Sequence, residues 1–204
     1  MRNVKTAAAV ALAVLAVGMA TASQAQAAYI ETLEQVGGDV VATGSGSIDL
    51  TDLTFNDSET SLSSIAPVVG EILLGSAVSE QVSTYGGATG PSNFGTGGLT
   101  FASSGTGAGV AISDESYIGV PLDYVSSSAL GTSTATWAGT TLSALGVTVG
   151  TYTYTWGIGA DADSFTLYAG VNPPAVPEPD SLVLLAAGLA WIALARLRDR
   201  ESIW

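Results

Sequence analysis

Between Lys5 and Arg196 the chain contains no Lys, Arg or His. Its basic residues are confined to two end segments, Arg2 and Lys5 on one side and Arg196, Arg198 and Arg200 on the other. The body between them is purely anionic, with carboxylates at Glu31, Glu34, Asp39, Asp49, Asp52, Asp57, Glu59, Glu71, Glu80, Asp114, Glu115, Asp123, Asp161 and Asp163. Cysteine is absent as well, so the fold has to hold without disulfides. Nucleic acid and anionic lipid are excluded as partners of the body, because both are gripped through Lys and Arg. Ser-His-Asp triads, cysteine nucleophiles, Schiff-base lysines and arginine phosphate clamps are excluded for want of the residues. Zinc would find neither thiolate nor imidazole.

The two ends read as targeting segments. Arg2 and Lys5 precede an apolar run over residues 7–20, and Ala25-Gln26-Ala27 is a small-x-small site. This is the pattern of a secretory signal peptide, cut by signal peptidase after Ala27. At the other end, Pro177-Glu178-Pro179 holds the backbone extended, since each ring fixes φ and disfavours helix in the residue before it. Residues 182–195 carry no charge and would make a helix of about 21 Å, against a hydrocarbon core of about 30 Å. Snorkelling from Ser181 and the Arg196-Leu197 stem brings a span over residues 181–197 near the lower limit of membrane-crossing length. Such a marginal span suits a transient anchor in the inner membrane, with Arg196, Arg198 and Arg200 as a stop on its cytoplasmic side.

The body, residues 28–175, is long enough for one domain with a real core. Thr151 to Trp156 alternates strictly, placing Tyr152, Tyr154 and Trp156 on one face and Thr151, Thr153 and Thr155 on the other. A loop over residues 157–163 and a strand from Ser164 to Tyr168 complete a hairpin. Further strands are expected over residues 28–36 and 40–43, joined by a Gly37-Gly38-Asp39 turn, and over 48–55, 72–74, 78–85, 99–102, 110–112, 117–120 and 132–137. Residues 142–145 suit a single helical turn, and residues 58–69 fit no one assignment. The glycine-rich stretches 86–98 and 105–109 lack a P-loop lysine and read as flexible surface loops. Gly44-Ser45-Gly46 reads as a turn or bulge. Many short strands separated by Gly, Ser and Thr point to an all-β fold, an antiparallel sandwich or a jelly-roll-like domain.

The tail resembles the sorting signal of the PEP-CTERM proteins of Gram-negative bacteria in its Pro177-Glu178-Pro179 motif, its apolar segment 182–195 and its cluster of Arg196, Arg198 and Arg200. Segments of the body are similar to a recurrent group in that family, among them 29–37, 40–46, 101–105, 133–137 and 142–167. The resemblance implies an organisation of signal peptide (1–27), exported β domain (28–175) and sorting signal (176–204). It also implies an exosortase-type membrane enzyme that reads and cleaves the tail, and a final place on the cell surface or in an extracellular matrix. No catalytic residues come with it.

Three chemical readings remain. A carboxylate pair is the one hydrolytic device open to such a body, as in glycosidases, although fourteen acids on an exported domain are expected as solvated surface charge. Asp161 and Asp163 are candidates for a weak calcium site, but calcium wants six to eight oxygens and the EF-hand pattern is not met. Tyr152, Tyr154 and Trp156, with Trp137, would stack on polysaccharide if they faced solvent, and are core if they face inward. The threonines opposite them suit a wet surface, so the inward placement is expected. The resulting expectation is a non-enzymatic surface or matrix protein, with a polysaccharide-binding module as the alternative and a glycosidase third.

Overall fold

The computed structural model describes residues 28–113 and 117–174. The chain divides into two compact units, Met1–Asn172 and Pro173–Trp204. The described residues of the first form thirteen strands: β1 (Ala28–Val36), β2 (Asp39–Gly46), β3 (Thr54–Ser61), β4 (Ser64–Ala66), β5 (Glu71–Leu74), β6 (Glu80–Gly86), β7 (Thr100–Phe101), β8 (Ser104–Thr106), β9 (Val110–Ser113), β10 (Tyr117–Pro121), β11 (Thr132–Trp137), β12 (Gly150–Trp156) and β13 (Asp163–Ala169). Short 3₁₀ turns at Pro67–Val69 and Gly159–Asp161 interrupt them. One sheet runs β12-β13-β1-β2-β11-β8 and the other β3-β6-β10-β9-β5-β4-β7. The all-β, sandwich-like architecture expected from the spacing of strands and turns is present.

Period-2 alternation builds the first sheet. Ser133, Ala135 and Trp137 of β11 and Phe165, Leu167 and Ala169 of β13 are buried, while their threonine, serine and tyrosine neighbours are not. In the second sheet Ile65, Ile72, Ile112 and Ile118 stand opposite one another in a single cross-strand row, all fully buried. β-Branched side chains suit such a row because they pack closely on a pleated surface. The two inner faces share one core, and β5 lies against β2 and β11.

One pairing departs from the antiparallel expectation. β13 lies between β12 and β1, antiparallel to the first and parallel to the second, in register from Ala28↔Ser164 to Leu33↔Ala169. The last strand of the domain is therefore interior to its sheet. Ala28 and Ala169 consequently stand at opposite ends of the parallel pair.

The strand expected over residues 48–55 begins only at Thr54. Three consecutive amides before it are already committed to side chains. Ile48 N donates to Tyr124 Oη (2.9 Å), Asp49 N to Asp163 Oδ2 (2.6 Å) and Leu50 N to Ser126 Oγ (2.8 Å). A backbone satisfied in this way has no ladder to form. The hydroxyl of Tyr124 in turn donates to Ser128 O at 2.6 Å, so residues 48–53 are pinned to the 122–131 loop.

The glycine stretches also differ from the flexible loops expected. Residues 86–98 are a packed strap, bridged to β12 by reciprocal bonds between Thr89 and Thr155 (2.9 Å each) and to Val147 through Gly95. Glycine is required where the strap lies closest, since a Cβ at Gly90 would strike the Tyr154 ring and one at Gly97 the Leu145 carbonyl. Within 105–109, Gly105 and Thr106 belong to strand β8. Gly44 and Gly46 form no turn but continue β2 opposite β1. At the other sheet's margin, β3 is exposed almost throughout, with a register shift between Phe55 and Asp57 and outward acids at Asp57 and Glu59. Bulges and charge discourage a bare edge from pairing with another chain.

Candidate functional site

The sorting residues Pro177, Glu178 and Pro179, the arginines Arg196, Arg198 and Arg200, and the leader residues Ala25 and Ala27 lie outside the described residues. Every other candidate can be placed. Tyr154 and Trp156 are buried, and Tyr152 is half-buried against the same core. Tyr154 meets Phe165 edge-on at 6.2 Å, and Phe165 stacks on Tyr29 at 5.3 Å. Tyr152 tilts against Phe94 at 5.8 Å and donates its hydroxyl to Thr148 O. Trp137 is buried and donates Nε1–H to Thr100 O at 3.0 Å. Trp137, Tyr154 and Trp156 are core and Tyr152 lies half-buried against it, so no continuous sugar-stacking strip of the four is exposed.

Asp161 and Asp163, two residues apart, do different work. Asp161 is exposed in its 3₁₀ turn, whereas Asp163 is buried at the start of β13. Both oxygens of Asp163 are taken by backbone amides, Oδ2 by Asp49 N and Oδ1 by Ser164 N, each at 2.6 Å. Burial raises its pKa against the pull of those two amides. Asp49 moves the other way, held below the ordinary carboxylate range chiefly by the Thr51 hydroxyl, then by Thr51 N–H, with Ser126 assisting. The indole of Trp156 closes the group by donating to Asp49 O at 2.7 Å.

One raised and one lowered carboxyl side by side resemble the acid and base of a hydrolase. Here the Asp163 oxygens hold the loop preceding β3 to the start of β13, and the Asp49 carboxylate holds Thr51 and Ser126, so the arrangement is a clasp. Asp163→Ala strands the amides of Asp49 and Ser164, and the expected loss is about 2–3 kcal/mol in urea unfolding. Asp161→Ala is expected to stay within about 0.5 kcal/mol. A calcium site shared by the two acids would instead make both variants lose a Ca²⁺-dependent rise in melting midpoint.

Among the described residues no group of three or more Asp or Glu side chains is placed to hold a metal ion. The residue that counting surface acids misses is Glu31. It is fully buried between the inward side chains of Tyr29 and Leu33 on β1, not solvated as the other acids suggested. The signal was in the alternation itself, where Glu31 falls in phase with its apolar neighbours. Compared with known proteins, the chain matches no family model, no curated protein and no solved structure.

Proposed function

We propose that the protein is an exported structural component of the cell surface or an extracellular, exopolysaccharide-associated matrix, sorted and processed through its C-terminal PEP-CTERM-like tail. It acts without catalysis and without a resident cofactor. The observation that carries this reading is the pairing of two terminal signals with a body devoid of positive charge: leader and tail hold every basic residue. Signal peptidase removes the leader after Ala27. The tail then holds the domain at the inner membrane until an exosortase-type enzyme acts near Pro177-Glu178-Pro179, leaving a wholly anionic product.

The topology supports this order of events. The ends of the β1–β13 pair face opposite ways, so leader removal and tail processing do not compete for one pole of the domain. Mass spectrometry of protein recovered from culture medium, with and without the sorting enzyme, tests the reading. The tail is expected to be missing only when the enzyme is present, and to be retained when Pro177 and Pro179 are replaced by alanine. An intact tail under both conditions would overturn it.

A further inference from the structure

Among the described residues four buried side-chain oxygens have no hydrogen-bond partner: Tyr29 Oη, both carboxylate oxygens of Glu31, and Tyr154 Oη. They come from one region of one sheet. Tyr29 and Glu31 are successive inward positions of β1, and Tyr154 lies in the same cross-strand row as Tyr29, with Phe165 between them. Opposite Glu31 on β2 stands Gly44, and the Tyr29 ring occupies the space its side chain would fill, since a Cβ there would lie 2.5 Å from Tyr29 Oη. Ser133, next along from Gly44, gives its proton to Ala108 O at 2.8 Å. Its hydroxyl acts to lower the Tyr29 pKa, against burial, but leaves Tyr29 Oη unpaired.

Buried polar groups are almost always paired, and a cluster of exceptions points to an enclosed guest. The guest can be identified by elimination. An ionised Glu31 would need a counter-charge, and no Lys, Arg or His exists between residues 6 and 195 to supply one. A calcium ion would need six to eight oxygens where three side chains offer four. A proton satisfies the charge with no further ligand, and water satisfies the three hydroxyl-bearing groups that then remain.

We propose that Tyr29, Glu31 and Tyr154 form an internal proton-binding site, in which Glu31 is a neutral carboxylic acid hydrogen-bonded through enclosed water to the two phenols. Burial acts in the required direction, holding the Glu31 carboxyl well above its ordinary range. It likewise raises Tyr29, and pushes Tyr154 up to about 12, with Glu31 adding to both. The other titratable groups packed against this core are Tyr152, half-buried on β12, Asp163 at the start of β13, Tyr124, half-buried in the 122–131 loop, and Tyr85, half-buried on the opposing sheet. None is cationic.

A carboxyl whose folded value is raised favours the fold fully below its unfolded value, and that contribution is lost as pH climbs toward the folded value. Each pH unit in that window lowers the folding equilibrium by about tenfold. The site therefore makes an exported domain report acidity: mildly acid surroundings favour the closed sandwich.

Melting the purified full-length chain and its Glu31→Gln variant from pH 4 to pH 9 tests the assignment. The wild-type midpoint is expected to fall with rising pH more steeply than that of the variant, and the two curves to diverge above about pH 5. Identical slopes would overturn it. So would a wild-type midpoint at pH 8 that rises with potassium or calcium chloride more than the variant's does, since Glu31 would then hold a metal cation. If Glu31→Gln does not fold, ¹³C-glutamate-labelled wild type decides. One fully protected carboxyl carbon that remains protonated at pH 7 supports the site, and complete ionisation of every glutamate by pH 6 sinks it.

Discussion

A chain ending at Ala162 is expected not to fold, whereas one ending at Asn172 is expected to unfold cooperatively. The seven residues of β13 are not an appendage, because both β12 and β1 use them as their ladder partner. Their loss removes Phe165, Leu167 and Ala169 from the core, all fully buried, together with the Asp163 clasp on Asp49. Truncating a buried Phe costs about 3–5 kcal/mol and a buried Leu about 2–5 kcal/mol. Together these approach or exceed the 5–15 kcal/mol by which domains of this size are typically stable. Near-ultraviolet circular dichroism and resistance to protease separate the two products. A cooperative transition in the shorter chain would show that the strand order misrepresents the sheet. On the export route proposed above the implication is kinetic, since the sandwich would not close until residue 169 had crossed the membrane.

The largest single-residue effect is expected at Trp137. Its ring is fully buried on β11, while its Nε1–H reaches Thr100 O in β7 of the opposing sheet. It therefore contributes both volume and an inter-sheet hydrogen bond. Trp137→Ala is expected to cost about 3–5 kcal/mol in the denaturant midpoint converted through an unchanged m-value. Trp137→Phe keeps most of the ring packing but leaves the Thr100 carbonyl unpaired, at about 1–3 kcal/mol. Equal losses for the two variants would mean that the hydrogen bond, not the ring, carries the effect.

Where local pattern decides structure, the chain could be read directly. Thr151 to Trp156 alternates without exception and is a strand with its aromatics inward. What stayed hidden depended on residues far away in the chain. Residues 48–53 have strand-like composition, yet their amides are claimed by Tyr124, Ser126 and Asp163, some 75 to 115 positions downstream. The strap over residues 86–98 has the composition of a mobile loop, and its path is set by Thr155, Val147 and Tyr154, which receive it. Parallel pairing of first and last strands leaves no local trace at all. Glu31 is the instructive intermediate: its inward phase was legible, but a count of acids treats every carboxylate as surface.

The parallel register of β1 and β13 has a mechanical consequence. A domain held by its tail and pulled at its far end transmits tension between Ala28 and Ala169, which sit at opposite ends of six paired positions. The force then runs along the strands and strains those pairs together, in shear, instead of peeling them apart one after another as it would in a terminal hairpin.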